Sequence, residues 1–310
     1  MIRLLGTLCL AAAAGWLASA CPAETPAARP GRPGDPPAAA PAPAGQGSAA
    51  PVTQRELMAK LAAVPQQNAD RAEKVLQLFK QAGLRNVTRQ AVPTRPPGCN
   101  ILATLPGRTP NVIIVGAHFD HTSTGTGVID NWTGVACMVG LAQALAKTPP
   151  QHTFVFVAFD SEERGQAGSR WYVSQLSAQQ KARTTAMVNL ECLGISTAKV
   201  WLTGSADALE QLAAEVAKKE NTPVEFRQLH GVTADANSFM AAGIAAITFD
   251  SLDLTDFDLI DSPKDRAEAV RPDRLEQHYR FILKYLQALD EQSGSISAAN
   301  KDRPAPKPKP

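Results

Sequence analysis

The sequence predicts an α/β protein, a three-layer α/β/α sandwich around a mixed, mostly parallel sheet. Short continuous apolar runs such as 112–115 (VIIV) and 153–159 (TFVFVAF) lack the alternation of a half-exposed strand, so cover is expected on both faces. These runs alternate with segments of helical apolar spacing, the order that builds layered α/β folds. Acidic and imidazole residues stand just past the ends of successive strands, at the edge where open α/β sheets bind ligands.

Taken in order, residues 54–61 and 70–82 carry helical apolar spacing, and Gly83 supplies a C-terminal stop. Runs 100–105 and 112–115 are aliphatic or β-branched strands separated by the turn signal PGRTP at 106–110. Residues 134–146 form an apolar helix, 153–159 a buried strand, 168–176 a helix and 186–190 a strand. Further strands are expected at 200–202 and 245–249, with helices at 206–219, 237–242 and 274–289. No internal repeat is present.

The chain has 310 residues, 44% of them apolar, enough for one substantial core, and a single domain over 53–292 is expected. A net charge of +2, with no Lys/Arg cluster interleaved with aromatics, argues against a nucleic-acid partner, and a monomer is expected. Arg3, the apolar run 4–17 and the small residues 18–20 have the layout of a signal peptide, 1–20. Cys21 directly after it allows lipidation, so the chain reads as an exported envelope lipoprotein, with simple cleavage to a periplasmic or secreted form and a retained anchor as alternatives. Residues 21–52, nearly all Pro, Ala, Gly and Ser, read as a disordered linker, and the Pro/Lys-rich 293–310 as a disordered tail. No later stretch is expected to be long and apolar enough to span a bilayer. Cys21, Cys99, Cys137 and Cys192 form no CxxC pair. Cys137 reads as core, and spacing gives no support to a Cys99–Cys192 disulfide.

His118 ends the strand VIIVGA, and Asp120 two residues on is placed to accept a hydrogen bond from the imidazole. Asp130 precedes a helix opened by Asn131 and is either a helix cap or a carboxylate that gives one oxygen to each of two metals. Glu162 and Glu163 follow a fully apolar strand, and their side chains point different ways, so one can bind metal while the other faces an attacking water. Glu191 ends another strand. Alone, each has an ordinary explanation: a structural histidine, a cap, a charged turn. Together on one sheet edge they describe a metalloenzyme.

Five segments, GAHFDH (116–121), GVIDNWTGVA (127–136), FVAFDSEERGQAGSRWY (156–172), MVNLECLG (187–194) and DSPKD (261–265), resemble in order and spacing the motif series of the di-zinc aminopeptidases of the aminopeptidase Y and bacterial leucyl aminopeptidase type, peptidase family twenty-eight. The resemblance implies a zinc exopeptidase-like fold, a peptide substrate and two divalent metal ions, zinc first among them. It implies that His118 and Glu191 bind one metal, that Glu163 and Asp261 bind the other, and that Asp130 bridges them. Glu162 is then the general base and Asp120 the partner of His118. Two positions depart from the family: Glu191 stands where Asp is usual, and Asp261 where a metal-binding His is usual. An all-carboxylate second site suits Mn or Mg better than zinc, and its fourth carboxylate lowers the site's positive charge, so bound water is acidified less. A dinuclear enzyme with altered metal preference, a mononuclear enzyme and an inactive descendant are the three outcomes. His230 is a candidate substitute ligand or substrate contact and His121 a pocket residue, while His152 reads as exposed and His278 as packing. The rival readings are a glutaminyl cyclase, similar in fold with one zinc but with a Trp before the final His that is missing here, and a non-catalytic envelope-tethered binding domain.

Overall fold

The structure, a computed structural model, describes residues 51–293, 296, 298 and 299. The expected signal peptide, Cys21, all but the end of the linker and most of the tail lie outside them. Among the described residues eight strands form one sheet: β1 (Asn86–Val92), β2 (Gly98–Leu105), β3 (Val112–His118), β4 (Thr153–Phe159), β5 (Thr184–Leu190), β6 (Ala198–Trp201), β7 (Val224–Arg227) and β8 (Ala246–Asp250). Their order is β1-β2-β4-β3-β5-β8-β6-β7. The continuous apolar runs take the middle, where β4, β3, β5 and β8 are parallel, and antiparallel pairing is confined to β1–β2, β2–β4 and β6–β8.

Among the described residues eight α-helices flank the sheet: α1 (Gln54–Ala62), α2 (Asn68–Gln81), α3 (Thr133–Leu145), α4 (Ala167–Gln175), α5 (Ala178–Arg183), α6 (Asp207–Lys219), α7 (Ala236–Ala241) and α8 (Pro272–Asp290). Two adjacent residues of β3 show that both faces are covered. A Cβ on Gly134 of α3 would lie 3.1 Å from the Ala117 side chain, so Ala117 faces α3. A Cβ on the neighbouring Gly116 would lie 2.6 Å from the ring of Phe159, which packs with Tyr172 of α4 and Phe239 of α7 on the other side. The α3 layer also holds α1, α2 and α8, with α6 against α8. Phe154, Phe156 and Phe159 are fully buried, each stabilising the fold by about 1.5–3 kcal/mol.

The structure departs from the sequence pattern in several places. β1 (NVTRQAV) and β7 (VEFR) are edge strands with mixed polarity and partial exposure, so neither shows a buried-strand signal. α5 has no buried residue and is specified by the Ser177–Gln180 capping box. The segment Val128–Leu145 is, by length and composition, apolar enough to cross a bilayer, a correction to the expectation above, but it is broken at Asp130 and Asn131 and 89% of it is buried in the fold, α3 included. His152 is also corrected: it is 4% exposed, its backbone N–H donating to Asp290 at the end of α8. Cys99, Cys137 and Cys192 are buried, and Cys137 and Cys192 are free thiols.

Candidate metal centre

Three strand ends meet around His118. Its Nδ1 lies 3.1 Å from the main-chain carbonyl of Asp120, a contact that turns Nε2 inward, where it meets Asp130 Oδ1 at 2.9 Å and Glu191 Oε2 at 3.5 Å. One ligand atom from each of His118, Asp130 and Glu191 lies within 4.8 Å of the others. Burial alone would lower the His118 pKa, but the carboxylates of Glu191, Asp120 and Asp130 outweigh it and raise it well above the usual value.

The arrangement rests on amides behind the ligands. Asn131, not Asp130, serves the first turn of α3, its Oδ1 accepting from Gly134 N at 3.2 Å, which leaves the Asp130 carboxylate to face His118. The same Oδ1 accepts from Cys192 N at 3.1 Å, while Nδ2 donates to Leu190 O at 2.8 Å and to Glu191 Oε2 at 2.9 Å. Asn189 Nδ2 holds the other Glu191 oxygen at 2.9 Å. The longer arm of Glu191 is therefore gripped at both oxygens, each keeping a lone pair for a cation.

The loop that carries Asp130 is held from two sides. Asp265 accepts the backbone N–H groups of Val128 at 2.8 Å, Ile129 at 2.6 Å and Asp130 at 3.3 Å. Arg71 of α2, fully buried and 5.4 Å from the Trp132 ring, donates to the carbonyls of Phe119 at 2.9 Å, Gly127 at 3.2 Å, Pro65 at 3.0 Å and Thr126. Burial pulls its pKa down to about 10, so it stays charged near neutrality.

Glu162 and Glu163 stand half-buried on a one-turn helix after β4, entered through left-handed Ser161 and left through Gly165 and left-handed Gln166. The Asp120 carboxylate, 3.6 Å from His118 Nδ1, is directed chiefly at this turn: it accepts from Glu162 N at 3.0 Å and Glu163 N at 3.3 Å. Burial, with Glu191 and Asp130 adding, raises Glu162 to about 7 despite the opposing His118. Burial and Asp130 raise Glu163 to about 8. Gly168 closes the turn; a Cβ there would lie 2.1 Å from Asp160 O, so a side chain is excluded.

Of the residues singled out from the sequence, the structure gathers His118, Asp130 and Glu191, with Asp120, Glu162 and Glu163 beside them. Asp261 is exposed, in left-handed backbone, and falls outside the trio, although its charge is felt at Glu163. His230 is exposed, His121 Nε2 lies 3.1 Å from the Gln66 carbonyl, and His278 is buried with Nδ1 accepting from Gly194 N. Arg71, Asn189, Gln166, Asp265 and Asp235 belong to the site without having been singled out for it. Asp235 is fully buried near Glu162, and burial and Glu162 raise its pKa far above the usual range against the opposing effects of His118 and the Ser169 hydroxyl.

One imidazole nitrogen and two carboxylates, converging and braced from behind, fit a divalent metal such as zinc. Sheet and trio together define an α/β scaffold with a metal-binding centre at its edge. The chain belongs to peptidase family M28, which it matches over residues 100–286. It is 28% identical over 176 residues to aminopeptidase YwaD of Bacillus subtilis, covering 54% of this chain and 39% of that one. With the probable lipoprotein aminopeptidase LpqL of Mycobacterium tuberculosis it shares 32% over 150 residues, 45% of this chain and 30% of that. The matches thus span less than half the length of these relatives. Among solved structures, a zinc aminopeptidase from Bacillus subtilis aligns with a TM-score of 0.57 at 26% identity, over 61% of this chain and 49% of that one. An Acidobacteriales bacterium glutaminyl cyclase aligns with a TM-score of 0.68 at 17% identity, over 82% and 99%, a likeness of fold.

Proposed function

We propose that this protein is a metal-dependent aminopeptidase that removes amino-terminal residues from peptides. The observation that carries the reading is the trio His118, Asp130 and Glu191 with the carboxylate of Glu162 beside it. His118 and Glu191 would hold one divalent ion, Glu163 and Asp261 a second, with Asp130 shared; zinc suits the imidazole site, and zinc, Mn or Mg the acidic one. A bound divalent metal supplies Lewis-acid polarisation of the scissile carbonyl and acidification of water. Glu162 takes the proton from the attacking water and delivers it to the departing amine as the C–N bond breaks, the double use expected of a carboxylate placed beside a Lewis acid. The excess of carboxylates favours a free, positively charged α-amino group on the substrate, hence trimming from the amino end.

Export fits this reading, with Cys21 as the point of lipid attachment; the layout of residues 1–21 and the likeness to a lipoprotein aminopeptidase support it. The deciding experiment replaces Glu162 by Gln and follows release of free amino acid from short peptides. Turnover is expected to fall by at least about a hundredfold with metal content unchanged, in line with loss of general base catalysis; full activity would remove Glu162 from the mechanism. A glutaminyl cyclase is the second reading, favoured by the near-complete coverage of one by this fold and by a trio sufficient for a single metal. Ammonia loss from a peptide with amino-terminal Gln, in place of amino-acid release, would select it. Purified protein without stoichiometric metal would instead favour a binding domain.

A further inference from the structure

We propose that Gln166 is a positioning residue for the general base, its side-chain amide holding the Glu162 carboxylate and tying it to Thr233 on the loop between β7 and α7. The amide nitrogen has two N–H groups and both are used, one on Glu162 Oε1 at 3.1 Å and the other on Thr233 Oγ1 at 2.9 Å. Gln166 is held through its main chain as well. It is 8% exposed, its own N–H donates to Glu162 O at 2.8 Å, and its carbonyl accepts from Arg170 N at 2.9 Å and from Ser169 Oγ at 3.2 Å. The main chain of Glu162 is fixed separately, through Asp120, so the amide restrains the side-chain rotation that remains. With Oε1 engaged, Oε2 is the oxygen left to receive a proton. An amide donates to a carboxylate and takes no proton itself, so it orients the base without competing with it. Thr233 is exposed on the 228–235 segment, and the base therefore feels the placement of that loop.

This rests on Glu162 being the base, and the Glu162→Gln variant tests that point separately. In the metal-loaded protein, Gln166→Met removes both donors at nearly constant volume, and Thr233→Val removes the outer anchor. With an aminoacyl anilide as substrate, Gln166→Met is expected to lower kcat about tenfold or more with KM and bound metal unchanged, as for a lost hydrogen bond to a charged acceptor. Thr233→Val should lower kcat a fewfold, and the double variant should be no slower than Gln166→Met. A wild-type kcat in Gln166→Met, a loss confined to KM, lost metal, or single effects that multiply in the double variant would each overturn the proposal. Should Gln166→Met fail to fold, exposed Thr233→Val decides: lowered kcat at constant KM supports the strap, and an unchanged kcat overturns it. If Glu162→Gln is inactive and Gln166→Met is not impaired, only this inference fails.

Discussion

His118, ringed by Glu191, Asp120 and Asp130, holds a proton well beyond the usual pH, so a metal must displace that proton to bind. Metal affinity should fall as the solution is acidified, and calorimetry in buffers of different ionisation enthalpy should detect proton release on zinc binding; pH-independent affinity would contradict this. Stability follows the same sign in metal-free protein. The folded-state pKa of His118 is raised, so its contribution is present below about 6.5 and lost as pH rises through the folded value. Glu162 and Glu163, raised to about 7 and about 8, make the folded state bind more protons than the unfolded chain, so they too cost stability as pH rises from about 5 to 8. The Tm of the chelated protein should therefore decline across that window, and added zinc should flatten the decline. These ionisable residues were legible in the sequence because carboxylates and imidazole at strand ends are few. Asn131, Asn189 and Gln166 were not, since an amide reveals its role only through partners that folding brings near it.

At the level of elements, the loop before α3 is held by a cation on α2 and an anion from the segment before α8. Arg71→Met should leave four carbonyls without their charged donor and cost at least about 3 kcal/mol, given about 1.5–3 kcal/mol for a hydrogen bond to a charged group. Urea denaturation measures that loss; a change under about 1 kcal/mol would show that the loop holds itself. Asp265→Asn should keep the shape of the anchor but weaken its three contacts, reducing metal affinity more than global stability. Gly168→Ala should fail to fold or lose several kcal/mol, because the missing Cβ would lie 2.1 Å from the main-chain oxygen of Asp160 and 2.6 Å from Oδ1 of buried Asn100. The central elements were readable from apolar runs and helical spacing. β1 and β7 escaped because an edge strand lets polar residues face solvent, and α5 because its signal is a cap with no buried face.

For the whole molecule, the family match begins at residue 100, yet Arg71 and the buried face of α2 lie before it. A chain shortened to start at β2 should therefore be unable to retain zinc, which metal analysis of the truncated protein checks. The layered fold and the edge carrying the chemistry were legible because both follow from periodicity. What stands beside Glu162 and Glu163 was not, because the segments around Thr233 and Asp261 are irregular and take their shape from the packed body. One consequence of the Asn131 contacts reaches into protein ageing. Slow deamidation of that shielded amide would exchange a donor for an acceptor, turning its grip on Glu191 and Leu190 into repulsion. A single altered atom, far from any cut or break in the chain, would loosen the centre, and old preparations would then lose their ion before they lose their shape.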